Sequence, residues 1–236
     1  AIKVVNDKLA KKLQEATEGY QNIEVVTVPD AYPMGWERVL IRELFKKEYD
    51  RFPGEIGIIV NNATTAIYLS EALRDKKPIT HRIVTISGEG VKNPENVYVP
   101  IGTSVDYIIE KIGGYTENIN EMFVLGGGPM MGKSIANDTF VVTTYSNSIT
   151  VLPKVVEEEL PCLRCGLCVE HCPAKIQPVQ IMNLEKQKNT EGVIAACADR
   201  CITCGLCTYI CPSKIEVTDW VGKAKTRVAN ARKAGK

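Results

Sequence analysis

All nine cysteines of this 236-residue chain fall between Cys162 and Cys211, and eight of them repeat one spacing. Cys162, Cys165 and Cys168 stand two residues apart, and Cys172 follows after three more, next to Pro173. Cys201, Cys204, Cys207, Cys211 and Pro212 repeat the pattern 39 residues later. The alignment extends from CLRCGLCVEHCPAKI to CITCGLCTYICPSKI, so the segment is a duplicated unit. Secreted disulfide proteins spread their cysteines through loops. Crowding at short fixed spacing, with no export signal at the start, reads instead as metal ligation in a reducing compartment.

The spacing selects the metal group. Zinc takes four thiolates as two separated C-x2-C pairs. Two complete C-x2-C-x2-C-x3-C-P runs are the pattern of proteins with two 4Fe–4S clusters. Three closely spaced cysteines wrap three corners of a cube from one loop, and the fourth points away and serves the other cube. The assignment expected is therefore Cys162, Cys165, Cys168 and Cys211 for one cluster, and Cys201, Cys204, Cys207 and Cys172 for the other. Gly166 and Gly205 leave room where backbone passes close to the cube. The prolines release the chain from it. Residues 177–188 and 191–198 between the copies read as helical, which favours a helical ferredoxin domain. Cys197, the ninth cysteine, reads as a small apolar core residue, and His171 as a surface histidine.

The rest of the chain gives an α/β front. Residues 3–18 suggest a helix with Val4, Leu9, Leu13 and Ala16 on one stripe. Residues 23–28 (IEVVTV) and 56–60 (IGIIV) read as short buried strands, and 36–48 as a helix with Val39, Leu40, Leu44 and Phe45 inward. Asn62 is placed to cap a helix over 63–74. This alternation argues for a partial, doubly wound parallel sheet over residues 1–78. A β-rich module follows at 79–153, with strands at 82–87, 97–100, 121–125, 139–144 and 148–152 and a helix at 104–112. Pro153 and Glu157–Glu159 form a linker into the cysteine domain, 154–221.

Gly127-Gly128-Pro129-Met130-Met131-Gly132-Lys133-Ser134 matches the expression GxxxxGK[ST]. A phosphate-binding loop must open a helix, however, and here β-branched FVVTT follows. Pro129 also removes a donor. A tight glycine turn between strands is the better reading. The tail, 222–236, is basic, and reads either as a contact for an acidic partner or anionic membrane surface, or as a solvated fraying helix. The formal net charge is +1, which gives no reason to expect a nucleic-acid partner. No apolar run approaches the ~20 residues of a membrane-spanning helix.

At this point the chain resembles the RnfC family, the peripheral iron–sulfur and flavin subunit of the Rnf electron-transport complex. The resemblance rests on AYPMGWE (31–37), VNNATTA (60–66), RIVTISG (82–88), VPIGTS (99–104), GGPMMG (127–132) and the two cysteine runs. It implies that the front resembles the second half of the FMN-binding domain of the complex I flavin subunit. Tyr32, Gly35 and Glu37 would then lie at the flavin, as would Val60, Asn61, Asn62 and Thr65. Residues 79–118 are similar to the soluble-ligand-binding (SLBB) β-grasp domain. The family's glycine-rich flavin loop is absent from this sequence, so the resemblance implies FMN and NADH binding only together with the missing N-terminal half. The implied role is electron transfer between a flavin/NADH site and ferredoxin or a membrane redox partner, as one subunit rather than a complete enzyme. Other Rnf-type subunits would be its neighbours, in the cytoplasm or on the cytoplasmic face of the cell membrane. Soluble relatives that feed cobalamin or proline reductases imply the alternative role.

Overall fold

The computed structural model describes the backbone of residues 2–3 and then residues 6–135, 137–155 and 157–235. The chain divides into two compact units, Ala1–Ile67 and Tyr68–Lys236.

In the first unit, β1 (Ile2–Lys3) leads to α1 (Asp7–Thr17), β2 (Thr27–Val28), α2 (Glu37–Phe45) and the start of α3 (Ala63–Asp75). β1 and β2 pair in parallel over two residues each. Several sequence expectations are corrected here. Val4 lies outside the described residues, Leu9 and Leu13 are exposed, and Ala10 is the buried residue of α1. Of residues 23–28 only Thr27 and Val28 form a strand. Residues 56–60 form none, and Ile59 is 80% exposed. An apolar run becomes a strand only with a partner for its backbone, and the only ladder among the described residues of this unit is the two-residue one. On α2, Val39 and Ile41 are buried while Phe45 is 54% exposed, because the helix ends there: Lys46 turns left-handed at φ 53°. Asn62 does cap α3, accepting from the Thr64 N–H at 2.9 Å.

The second unit opens on β3 (His81–Ser87), β4 (Glu95–Pro100), α4 (Val105–Lys111), β5 (Met122–Gly126), β6 (Lys133–Ile135) and β7 (Ser148–Pro153). The five strands form one mixed sheet in the order β4-β3-β7-β5-β6. The β3–β7 pair is parallel and the others antiparallel. β3 shows the period-2 alternation of a half-buried strand, with Arg82, Val84 and Ile86 inward. Val84, Ile86, Val124, Ile149 and Val151 pack with Val105, Ile108 and Ile109 of α4 into one core. The strand expected at 139–144 is instead an irregular segment: Val142 bonds to Gly102 and Thr103, and only Val141 makes a bridge, to Ser104. Gly88 (φ +106°) lies so close to β7 that a Cβ would meet the Val151 carbonyl oxygen at 2.0 Å, so only glycine fits.

The cysteine region is helical. It comprises α5 (Leu167–Glu170), α6 (Pro178–Lys186), α7 (Thr190–Ala195), α8 (Leu206–Tyr209) and α9 (Val217–Ala234). Val217, Val221, Ala224 and Val228 form the stripe by which α9 packs on Ile181, Met182 and Val193. The basic segment expected as a separate tail from residue 222 is therefore the body of α9. Its cations are partly used inside the fold. Arg227 makes a two-pronged pair with Glu185 (2.7 Å each), and the Lys225 Nζ donates to the Cys201 carbonyl at 2.6 Å. Cys197, expected in the core, is exposed: it sits left-handed at φ 54° where α7 has already ended.

The Arg227 guanidinium beside Glu185 holds that buried carboxyl below the usual carboxylate range. Glu185 therefore stabilises the fold at neutral pH, and this contribution fades as pH falls through its depressed folded-state value. Arg227→Ala is expected to lower the thermal midpoint at pH 7, with the gap to wild type closing in acid. Melting curves from pH 7 to 3 check this, and a gap independent of pH would contradict it.

Candidate iron–sulfur centres

The duplication seen in the sequence is a duplication of backbone. Arg164 and Thr203 are both left-handed (φ 56° and 51°), as are Gly166 and Gly205 (82° and 83°) and Lys175 and Lys214 (53° and 54°). The first pair of turns has a shared consequence. The Arg164 N–H donates to the Cys162 sulfur at 3.4 Å, and the Thr203 N–H to the Cys201 sulfur at 3.3 Å. Each glycine then starts a one-turn helix, α5 or α8, which carries the third cysteine. The fourth cysteine falls just beyond that helix and turns away from its own loop.

The two copies face each other across two cavities. One is lined by Cys162, Cys165, Cys168 and Cys211. The other is lined by Cys201, Cys204, Cys207 and Cys172. Each cavity thus collects three sulfurs from one copy and the fourth from the other. Local bonds bring the copies into place: the Leu160 N–H donates to the Ser213 carbonyl (3.0 Å), and the Ser213 hydroxyl donates to the Pro161 carbonyl (2.9 Å). These bonds tie the residues before Cys162 to those after Cys211. The first turns of α6 and α9, through Val179 and Thr218, help to line the cavities. The positive ends of those helices thus face groups that become anionic on ligation.

The two cavities differ in shelter. Cys162 and Cys165 are exposed, whereas Cys201 and Cys204 are buried at 9% and 8% exposure. We call these the outer and inner sites. The glycine turn between β5 and β6 packs on Gly205, in the loop that carries the inner site's cysteines. This turn runs through residues 127–132 and opens no helix, so the match to a phosphate loop is coincidental. The Met130 carbonyl oxygen lies where a Cβ on Gly205 would be, at 2.3 Å. Only glycine lets the sheet module seat on the second cysteine loop. His171 is exposed on the other copy, its Nδ1 3.1 Å from the Leu167 carbonyl.

Burial raises the thiols of Cys168, Cys201 and Cys204 above the usual thiol range, and pushes Cys207 up to about 12. A metal bound here must displace those protons, so its binding carries a pH dependence. Four sulfurs around a cavity, with backbone N–H donors aimed at sulfur, fit a cubane cluster at each site.

The flavin residues expected from the family resemblance all lie in the first unit. Tyr32 is exposed, and the space around Gly35 is open. Glu37 opens α2 and accepts from the Tyr49 hydroxyl at 3.2 Å. Val60 is half-buried, Asn61 and Thr65 are exposed, and Asn62 serves as the cap described above. Sequence reasoning overlooked one pair of residues at the inner site, Thr208 and Thr218. Setting the two copies side by side would have revealed them, since Val169 and Val179 occupy the matching places.

Comparison with known proteins agrees with this layout. Residues 1–71 match the Nuo51 FMN-binding domain, residues 83–134 the SLBB domain, and residues 161–215 the 4Fe–4S dicluster domain. The chain is 36% identical over 168 residues to the C subunit of the ion-translocating oxidoreductase complex of Rhodobacter capsulatus, covering 69% of this chain and 32% of that protein. It is 33% identical over 175 residues to the same subunit of Yersinia enterocolitica (72% and 25%), and 31% identical to that of Edwardsiella ictaluri (72% and 22%). The chain therefore spans about a third or less of the length of these curated relatives. Among the described residues no helix is long and apolar enough to cross a membrane.

If the cavities are the ligand sets, Cys172→Ser is expected to damage the cluster held with Cys201, Cys204 and Cys207 and to spare the one held by its own copy. EPR of the anaerobically reconstituted variant checks this. Loss of the outer cluster instead would contradict the pairing.

Proposed function

We propose that this homologue of the C subunits of ion-translocating oxidoreductase complexes carries electrons singly through two 4Fe–4S clusters. The path runs between a flavin/NADH site and ferredoxin or a membrane redox partner. The observation that supports this most is the pair of cavities, each lined by three cysteines of one copy and the fourth of the other. When bound, each cluster supplies one-electron redox chemistry.

The chain's own residues do the rest. Cys162, Cys165, Cys168 and Cys211 hold the outer cluster, and Cys201, Cys204, Cys207 and Cys172 hold the inner one. The backbone N–H groups of Arg164 and Thr203 steady the first sulfur of each run. The exposed loop of Cys162 and Cys165 leaves the outer cluster open to a redox partner, while Cys201 and Cys204 set the inner one in a more buried place. Tyr32, Gly35, Glu37, Val60, Asn61, Asn62 and Thr65 contribute to the FMN site, as the match to the FMN-binding domain suggests. NADH is the proposed two-electron donor or acceptor at that flavin, and any hydride chemistry belongs to the cofactor. The neighbours proposed are the other subunits of the complex, with this chain placed peripherally at the cytoplasmic face of the membrane.

Anaerobically purified protein is expected to contain about eight iron and eight acid-labile sulfide per chain, from two cubes of four each. Its visible absorption should bleach with dithionite. About four of each would leave one site empty, and redox-silent zinc would overturn the reading. Co-purification with integral membrane subunits tests the placement, and recovery with a soluble enzyme alone would refute it.

A further inference from the structure

The two copies of the cysteine segment differ in how they treat the sulfur of their third cysteine. In the first copy, Val179 in the first turn of α6 stands beside Cys168 in the cavity lining and has no hydroxyl to offer the Cys168 sulfur. In the second copy, the equivalent residue is Thr218, in the first turn of α9, and its N–H donates to the Thr208 hydroxyl oxygen at 2.9 Å. The Thr208 hydroxyl donates in turn to the Thr218 hydroxyl oxygen at 3.0 Å. The Thr218 hydroxyl oxygen lies 3.1 Å from the Cys207 sulfur.

Counting donors fixes the direction of this chain. Each hydroxyl has one proton. Thr208 accepts from the backbone and spends its proton on Thr218. Thr218 accepts that proton and keeps its own, and a ligating Cys207 is a thiolate with no proton to give, so the Thr218 hydroxyl donates to the sulfur. Both hydroxyls are therefore oriented by a helix N-terminus, and each bond polarises the next. In the first copy Val169 and Val179 stand at these places, so no such relay forms there.

We propose that the Thr208–Thr218 hydroxyl relay is a potential-setting element of the inner cluster, donating to the Cys207 sulfur and raising that cluster's reduction potential. This rests on the cluster reading of the site given above. A donor aimed at a ligand sulfur stabilises the added electron, because the reduced cluster is the more negative state. The relay moves no proton; its last bond strengthens as the electron arrives. The two clusters of one duplicated segment thereby acquire different potentials through two hydroxyl groups.

EPR-monitored redox titration of the full chain with both clusters loaded tests this. Thr218→Val is expected to lower one of two one-electron waves. The ratio of reduced to oxidised inner cluster at fixed potential should fall about tenfold, or about 59 mV. The other wave is the internal control and should stay. Thr218→Ser should retain the wild-type wave. Thr218→Ala should fall with Thr218→Val, and it carries the test if the bulkier variant does not load. An unmoved wave in both Thr218→Val and Thr218→Ala, or equal movement of both waves, would each overturn the proposal. A wild-type protein that holds no cluster would instead overturn the cluster reading itself.

Discussion

The arrangement depends on the reach of two sulfurs, Cys172 and Cys211, each of which leaves its own loop and lines the cavity of the other copy. In each copy the loop glycine and the one-turn helix after it set that direction. The Ser213 bonds to Leu160 and Pro161 then hold the copies in register, and α9 packs beneath both. Under the proposed ligation, neither cluster can be complete unless both copies are folded against each other. Metal binding and tertiary structure are then one equilibrium, as in other small domains built on metal.

Duplication gave two sites, and the surroundings made them unequal. The outer site faces solvent at Cys162 and Cys165. The inner site's cysteines are more buried, and the turn of residues 127–132 packs on their loop, where the Met130 carbonyl meets Gly205 and leaves no room for a side chain. The glycine-rich segment that imitates a phosphate loop is thus explained by packing: it ends one hairpin and covers a neighbour. The threonine pair adds a second asymmetry, placing hydroxyl donors where the outer site has valines. An exposed site and a sheltered one, with different donors to sulfur, suit a relay that gives and takes electrons on one side.

Much of this was legible in the sequence, for reasons that differ by element. The cysteine spacing suggested the proposed pairing because a cube has fixed corners, and each cavity is lined by one of those sets of four cysteines. β3 and β4 were legible because their alternation matches a half-buried sheet, and Asn62 because a cap is a local bond. The apolar runs at 23–28 and 56–60 misled because composition does not reveal whether a partner strand is at hand. Cys197 misled because the left-handed turn that exposes it leaves no mark in an apolar stretch. The basic segment after residue 222 concealed a core helix: its apolar stripe is made of valines and one alanine spaced among the charges. Thr218 went unseen because its meaning lies in the difference between the copies, not in either alone.

Under the proposed ligation, shared sulfurs would also fix how far apart the two clusters sit, since each copy would touch both. The most direct test is the low-temperature EPR spectrum of the fully reduced protein, integrated against a spin standard. Clusters held by exchanged cysteines should give two spins per chain in a broadened spectrum split by their magnetic interaction. Two sharp, independent signals that simply add would mean that the clusters lie far apart, each within its own segment, and would contradict the exchange of sulfurs on which this account stands.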